Sequence, residues 1–175
     1  MPMDDLSSFT SQPIPEEFYS EYEERPFLTC TRCGETLSDF TEGFQIAKVF
    51  KREEVVFEYA LCAPCHMGMI EEFSIESRTA LEEYYSAKMT PGLGAGQCGI
   101  CQLHRKELSV EEFSLGAACH GNQMIEAFMI CSPCMETSNL LVSKKTQGIW
   151  NDFVDMNFPG VPADSMPCPT GVSIF

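Results

Sequence analysis

The chain has 175 residues, with 26 acidic against 11 basic side chains, a formal net charge of −15 and ten cysteines. That length suits one domain or two small ones. No run of about 18 apolar residues occurs, which excludes a membrane-spanning helix, and the acidity opposes nucleic-acid binding, because phosphate contacts need a basic surface.

Met1 to Leu6 lacks a basic stretch followed by an apolar one, so no secretory signal is expected and a cytoplasmic location is. Residues 1–26 form an acidic N-terminal arm with Arg25 as its one base. Aromatics interleave with the acids in Glu17-Phe18-Tyr19-Ser20-Glu21-Tyr22. By composition this is a solvated arm. The sharper alternative is a short motif that lays Phe18, Tyr19 and Tyr22 on a partner or on the protein's own body.

The first Cys-x-x-Cys pair is Cys30-Thr-Arg-Cys33. A β-hairpin is expected next, with strands Phe44 to Phe50 and Val55 to Leu61 around the polar turn Lys51-Arg52-Glu53-Glu54. It delivers the chain to Cys62-Ala-Pro-Cys65, after which the apolar spacing becomes helical through Met69, Ile70, Phe73, Ala80, Leu81 and Tyr84. Pro64 lies near the helix start, where a missing N–H costs nothing. The segment Thr90-Pro91-Gly92-Leu93-Gly94-Ala95-Gly96 reads as a linker.

The order then recurs. Cys98-Gly-Ile-Cys101 precedes a second hairpin, with the turn His120-Gly121-Asn122-Gln123, where Gly and Asn accept positive φ. Cys131-Ser-Pro-Cys134 opens a second helical stripe of Leu140, Leu141, Ile149, Trp150 and Phe153, which Gly148 is expected to bend or interrupt. Laid without gaps, Phe44 meets Phe113, Ile46 meets Leu115, Val49 meets Ala118, Val55 meets Met124, Val56 meets Ile125, Tyr59 meets Phe128, Leu61 meets Ile130 and Leu81 meets Trp150. The expected divisions are an arm over 1–26, modules over 27–89 and 97–158, a linker over 90–96, and a Pro-rich tail over 159–175.

Eight cysteines thus form two quartets, Cys30, Cys33, Cys62 and Cys65, then Cys98, Cys101, Cys131 and Cys134. The gaps are nearly equal, 28 residues between Cys33 and Cys62 and 29 between Cys101 and Cys131. Two thiolates across a tight turn share one ion, and a distant second pair closes the tetrahedron. A disulfide framework is the alternative, but cysteine is about 6% of the chain, below the roughly 8–10% of such scaffolds. The spacing therefore predicts two metal sites, with two Zn²⁺ as cofactors and iron as the alternative. Each four-thiolate site would add about −2 to the charge.

Knuckle, hairpin, then a helix holding the second pair resembles the treble-clef zinc-finger arrangement, present twice. The fold class this implies is α+β, with two treble-clef-like modules packed as a pseudo-symmetric pair. A single copy of about 60 residues has a thin core, and structural zinc compensates with about 10 kcal/mol of folding free energy.

Outside the quartets, His66 and His104 lie near ligand cysteines but are not needed by complete sets of four. Cys119 aligns with Phe50 and reads as a small core residue. His120 aligns with Lys51 and reads as solvated. Cys168 receives no role.

The expected function is a non-enzymatic zinc protein for protein–protein interaction or assembly, because a closed site cannot activate water. The acidity favours a protein partner with a basic surface. A thiol–disulfide oxidoreductase or redox chaperone is the first alternative, since Cys-x-Pro-Cys before a helix is similar to the thioredoxin motif. A rubredoxin-like iron electron carrier is the second; Gly34 fits that pattern, whereas Gln102 does not. No catalytic residues are found. The His-Glu-x-x-His, phosphate-loop and Gly-x-Ser-x-Gly motifs are absent, and proline sits inside the second pair, unlike the Pro-Cys-x-x-Cys of zinc deaminases.

Overall fold

The structure, a computed structural model, describes residues 11–108 and 112–160. Cys168 and most of the Pro-rich tail lie outside the described residues. The fold is α+β: the described residues form one six-stranded sheet and four α-helices. Two hairpins form its centre, β2 (Phe44–Lys51) with β3 (Glu54–Cys62), and β5 (Glu112–His120) with β6 (Gln123–Cys131). β1 (Gln12–Pro13) lies antiparallel on β6, and β4 (Gly94–Cys98) lies parallel on it. Four residues expected in the linker or beside it, Gly94 to Gln97, are therefore strand, in a stretch whose small side chains permit close backbone approach.

The first hairpin turn reduces to Arg52 and Glu53, both left-handed at φ 53° and 68°. Two central residues of positive φ match the twist of a tight hairpin. Both hairpins carry a register shift at equivalent places, between Val49 and Phe50 and between Ala118 and Cys119. Each shift leaves Val56 or Ile125 without a cross-strand partner, and both side chains are exposed.

The repeat becomes geometry where β2 pairs antiparallel with β5. Ala47 stands opposite Gly116, its own counterpart in the other copy, so a pseudo-twofold axis passes between them. Phe50 stands opposite Phe113, with the rings stacked at 5.1 Å. The symmetry-related pair is Phe44 and Cys119. Cys119 is buried, and that burial pushes its thiol up to about 12, as befits a core residue.

The single helix expected after each hairpin is in fact two. The first copy has α1 (Ala63–Glu72) and α2 (Ile75–Lys88), and the second has α3 (Ser132–Asn139) and α4 (Lys144–Asn157). The breaks fall at Ser74 and Ser143, which are extended N-caps accepting the N–H of Ser77 and Thr146. A capping hydroxyl competes with helix continuation and supplies a free N–H with a partner. Gly148, the expected interrupter, lies inside α4. Leu140 and Leu141, expected in the apolar stripe, sit at the α3–α4 connection and are exposed.

These two caps meet on the axis, with Ser74 Oγ 2.8 Å from Ser143 Oγ. The Ser74 N–H donates to Thr146 Oγ1 at 3.0 Å, and the Ser143 N–H donates to Ser77 Oγ at 2.8 Å. Each helix start is thus completed by the other copy, a capping box exchanged between repeats. Packing is exchanged too. Trp150 and Phe153 of α4 lie against Phe57 and Tyr59 of β3, with ring centroids 5.5–6.1 Å apart. Tyr84 of α2 donates its hydroxyl to the Cys134 carbonyl at 3.2 Å. The modules interlock across the boundary between the repeats.

The arm, expected to be solvated, packs on the body over residues 11–26. Phe18 is buried in the core, and the buried ammonium of Lys48 is the anchor. Lys48 Nζ donates to the carbonyls of Glu17 (3.0 Å) and Tyr19 (2.6 Å) and lies 3.6 Å from Glu58. Glu58 in turn accepts from the Ser20 hydroxyl and the Glu21 N–H. Arg105 adds a second tie, 2.7 Å from Glu17 and over the Phe113 ring. Lys48→Met leaves Glu58 and two carbonyls without their cation. The expected cost is about 3 kcal/mol, seen as a lower Tm, with hydrogen exchange rising at residues 16–25 more than in α4.

Candidate metal centres

Each centre is built from a knuckle and a strand-to-helix corner. In the first, the chain turns tightly at Cys30 to Cys33. The Gly34 N–H donates to the Cys30 carbonyl and the Cys30 N–H to the Glu35 carbonyl, both at 2.8 Å. In the second, the Gln102 N–H donates to the Cys98 carbonyl and the Cys98 N–H to the Leu103 carbonyl, both at 2.9 Å. Position 34 is left-handed at φ 77°, and so is position 102 at φ 65°. Gln102 therefore adopts the glycine conformation, and its identity does not distinguish the two knuckles as the rubredoxin comparison assumed.

The corner comes from β3 and β6. Cys62 is the last residue of β3 and the N-cap of α1; Cys131 ends β6 and caps α3. Pro64 and Pro133 stand within the first two helical positions, where no N–H is needed. Extended backbone at the cap and helical backbone after it aim the two cysteines of each pair into one space.

The four sulfurs of each quartet lie within 4.8 Å of one another. Cys33 and Cys62 Sγ are 3.9 Å apart, and Cys101 and Cys131 Sγ are 3.6 Å apart. Zinc bonded to sulfur at about 2.3 Å in a tetrahedron places the sulfurs about 3.8 Å apart, so both clusters fit such an ion. Cys33 and Cys101 form the exposed corner of each site, while Cys30, Cys62, Cys98 and Cys131 are buried.

Charge in the clusters is uneven. Burial raises the Cys30 thiol, but the N–H groups of Cys33, Cys62 and Arg32 outweigh it and hold it at about 7. Cys98 is lowered likewise, its burial outweighed by the N–H groups of Cys101, Cys131 and Ile100. The Cys62 and Cys131 N–H groups each lie 3.4 Å from the knuckle sulfur they serve. Burial pushes Cys62 and Cys65 up, Cys131 up to about 11, and Cys134 up further, with the neighbouring thiols adding to the effect on Cys65 and Cys134. The fold alone thus favours ionisation at Cys30 and Cys98 and opposes it at Cys62, Cys65, Cys131 and Cys134. A divalent cation is what lets all four ionise together.

Neither histidine joins a cluster. His66 is buried behind Cys65, and His104 is exposed with Nε2 3.4 Å from Gln97 Nε2. His120 is exposed, and its ring lies 2.7 Å from the Thr41 carbonyl. The aromatic trio of the arm is divided. Phe18 is core, Tyr19 is half-buried with its carbonyl on Lys48, and only Tyr22 is exposed, at 93%. Phe18 therefore cannot serve as an external contact, because the protein's own body uses it. Lys48 itself was legible as an anomaly: it sits at the inward position between Ile46 and Phe50 in an alternating strand.

No family model, curated protein or solved structure matches this chain.

The knuckle geometry yields a paired expectation. Gly34→Ala forces a Cβ into a left-handed position and costs about 1 kcal/mol, whereas Gln102→Gly relieves the same strain and gains a similar amount. Opposite shifts of Tm in the metal-loaded protein check both.

Proposed function

We propose that this protein is a non-enzymatic zinc protein, holding one Zn²⁺ in each four-cysteine cluster and serving as a protein–protein interaction or assembly module. The observation that carries the reading is the convergence of two complete thiol quartets at zinc-compatible spacing. Knuckle, hairpin and helix-borne second pair support a treble-clef-like description of each half. Four protein ligands leave no open coordination position, so such a site supports structure and does not activate water. The net charge of −15 favours a protein partner with a basic surface over nucleic acid. Among the described residues no helix is long and apolar enough to cross a membrane.

The alternatives fare less well. A thioredoxin-like thiol needs a lowered pKa at the helix N-terminus. Cys62 occupies that place, and burial raises it instead. In an iron carrier of the rubredoxin kind, the second pair would not open a helix.

Metal analysis of the purified protein is expected to find two zinc ions per chain in a colourless sample. Chelation is expected to abolish cooperative unfolding in one step, because the interlocked halves cannot separate. Fewer than one tightly bound metal per chain would overturn the reading, and a coloured ferric protein would replace zinc by iron.

The pH dependence has a definite sign. Cys30 has a folded pKa depressed from 9.0 to about 7. The stabilisation it gives is complete above pH 9 and is lost as pH falls through 7. Metal binding also releases thiol protons, so acid works against it in the same direction. A chromophoric zinc indicator is expected to report retention near pH 8 and release as the pH approaches about 5.

A further inference from the structure

The two outer edges of the sheet are treated differently. The chain itself covers β6 twice, with β1 on Gln123 and Met124 and with β4 on Phe128 and Met129. The repeat-related places on β3 are Glu54, Val55, Tyr59 and Ala60. At Ala60 the symmetry holds: the Thr31 N–H donates to the Ala60 carbonyl as the Gly99 N–H donates to that of Met129, both at 2.8 Å. Elsewhere it fails. Among the described residues β3 pairs as a strand only with β2 and ends the sheet.

Part of the cause is readable in the sequence. Pro26 stands four residues before Cys30, where Gly94 stands before Cys98. Proline has no N–H to give a ladder. Residues 27–29 form no strand with β3, and a groove of about 940 Å³ lies there. Its lining includes Phe27, Leu28, Val55, Val56 and Phe158. Leu28 and Val56 are 47% and 46% exposed. An uncovered apolar strand edge is a hazard that proteins otherwise blunt.

We propose that this groove receives an extended apolar segment carrying lysine or arginine from a protein partner, which adds to the β3 edge as β1 and β4 add to β6. The inference rests on the interaction-module reading and names its surface. Main-chain bonds of such an added strand give affinity, and side-chain chemistry gives selectivity. The selectivity here is for cations. Glu21, Glu23 and Glu58 line the groove, and among the described residues no lysine or arginine does. Lys48 neutralises Glu58 from the buried side, and exposed Arg25 lies 3.4 Å from Glu23. The Glu21 side chain is 73% exposed and only 3.9 Å from Lys48 at its nearest. Exposed Glu24 extends the acidic surroundings, whereas Glu53 and Glu54 in the turn are offset by exposed Lys51 and Arg52. A second copy of this chain fits poorly, because antiparallel pairing of two β3 edges sets those acids and two charges of −15 against each other.

The test uses the full zinc-loaded chain and a fluorescent peptide of alternating valine and lysine, about eight residues long. Saturable binding is expected at low salt. The valine–glutamate version is expected to bind at least about tenfold more weakly, and Val56→Lys to weaken the lysine peptide by about tenfold, because charge reversal acts across the same contact. With Val56→p-benzoylphenylalanine, light is expected to cross-link the peptide. No binding at about 200 µM peptide, equal binding of the glutamate peptide, or indifference to Val56→Lys overturns the proposal. So does cross-linking to a second copy or to residues 161–175 of the same chain. Zinc is measured on the same samples. Two zincs with no peptide binding overturn the groove alone, whereas less than one zinc overturns the module reading beneath it.

Discussion

Everything in this fold is arranged around bringing four sulfurs within bonding distance of one point, twice. The requirement is severe because thiolates repel one another and burial disfavours each of them. The chain meets it with two local devices of known cost. A left-handed residue closes each knuckle, and an extended cap followed by an early proline opens each helix. Between these devices the hairpin acts as a rigid arm of fixed length. That is why the two hairpins share even their register shift while sharing few identical residues.

A half of this size, built around one cysteine cluster, has little core of its own, and the second constraint follows. The halves do more than pair β2 with β5; their second helices also reach across to the other half. Aromatic rings of α4 close over β3, and the caps at Ser74 and Ser143 complete each other's helices on the axis. Burial is thereby pooled, so that a metal held in either cluster would support the folding of both halves. Exchange also explains the connections. The break at each serine turns the second helix toward the other copy, where a single long helix would carry it away.

The two cysteine clusters, the hairpins, the repeat and the core role of Cys119 were legible in the sequence, because spacing and alternation are local signals. The helix breaks were less so. Ser74 and Ser143 are good caps, yet a serine is weak punctuation beside Gly148, and the hydroxyl partners lie in the other repeat, about seventy positions away. The arm misled for a similar reason. Its acidic composition says solvent, and the ammonium that holds it is on β2. Lys48 has Ala117 as its counterpart, so the repeat gave no support for an anchor there, and the signal was confined to a lysine at an inward strand position.

The departures from symmetry then gain meaning, since the symmetric features already account for the metal sites and the core. Lys48 against Ala117 docks the arm on one half only. Phe50 against Cys119 stacks one aromatic pair and replaces the ring in the other with a thiol. Pro26 against Gly94 separates an open sheet edge from a closed one. Mutations that had only to preserve two equal zinc modules would have no reason to keep the edges different. Among the described residues one apolar edge is left open, which is an aggregation hazard on that side alone. The protein's net charge limits the hazard by repelling further copies while it attracts cations. Openness and acidity on the same edge are therefore not independent features: the charge is what allows the edge to stay available.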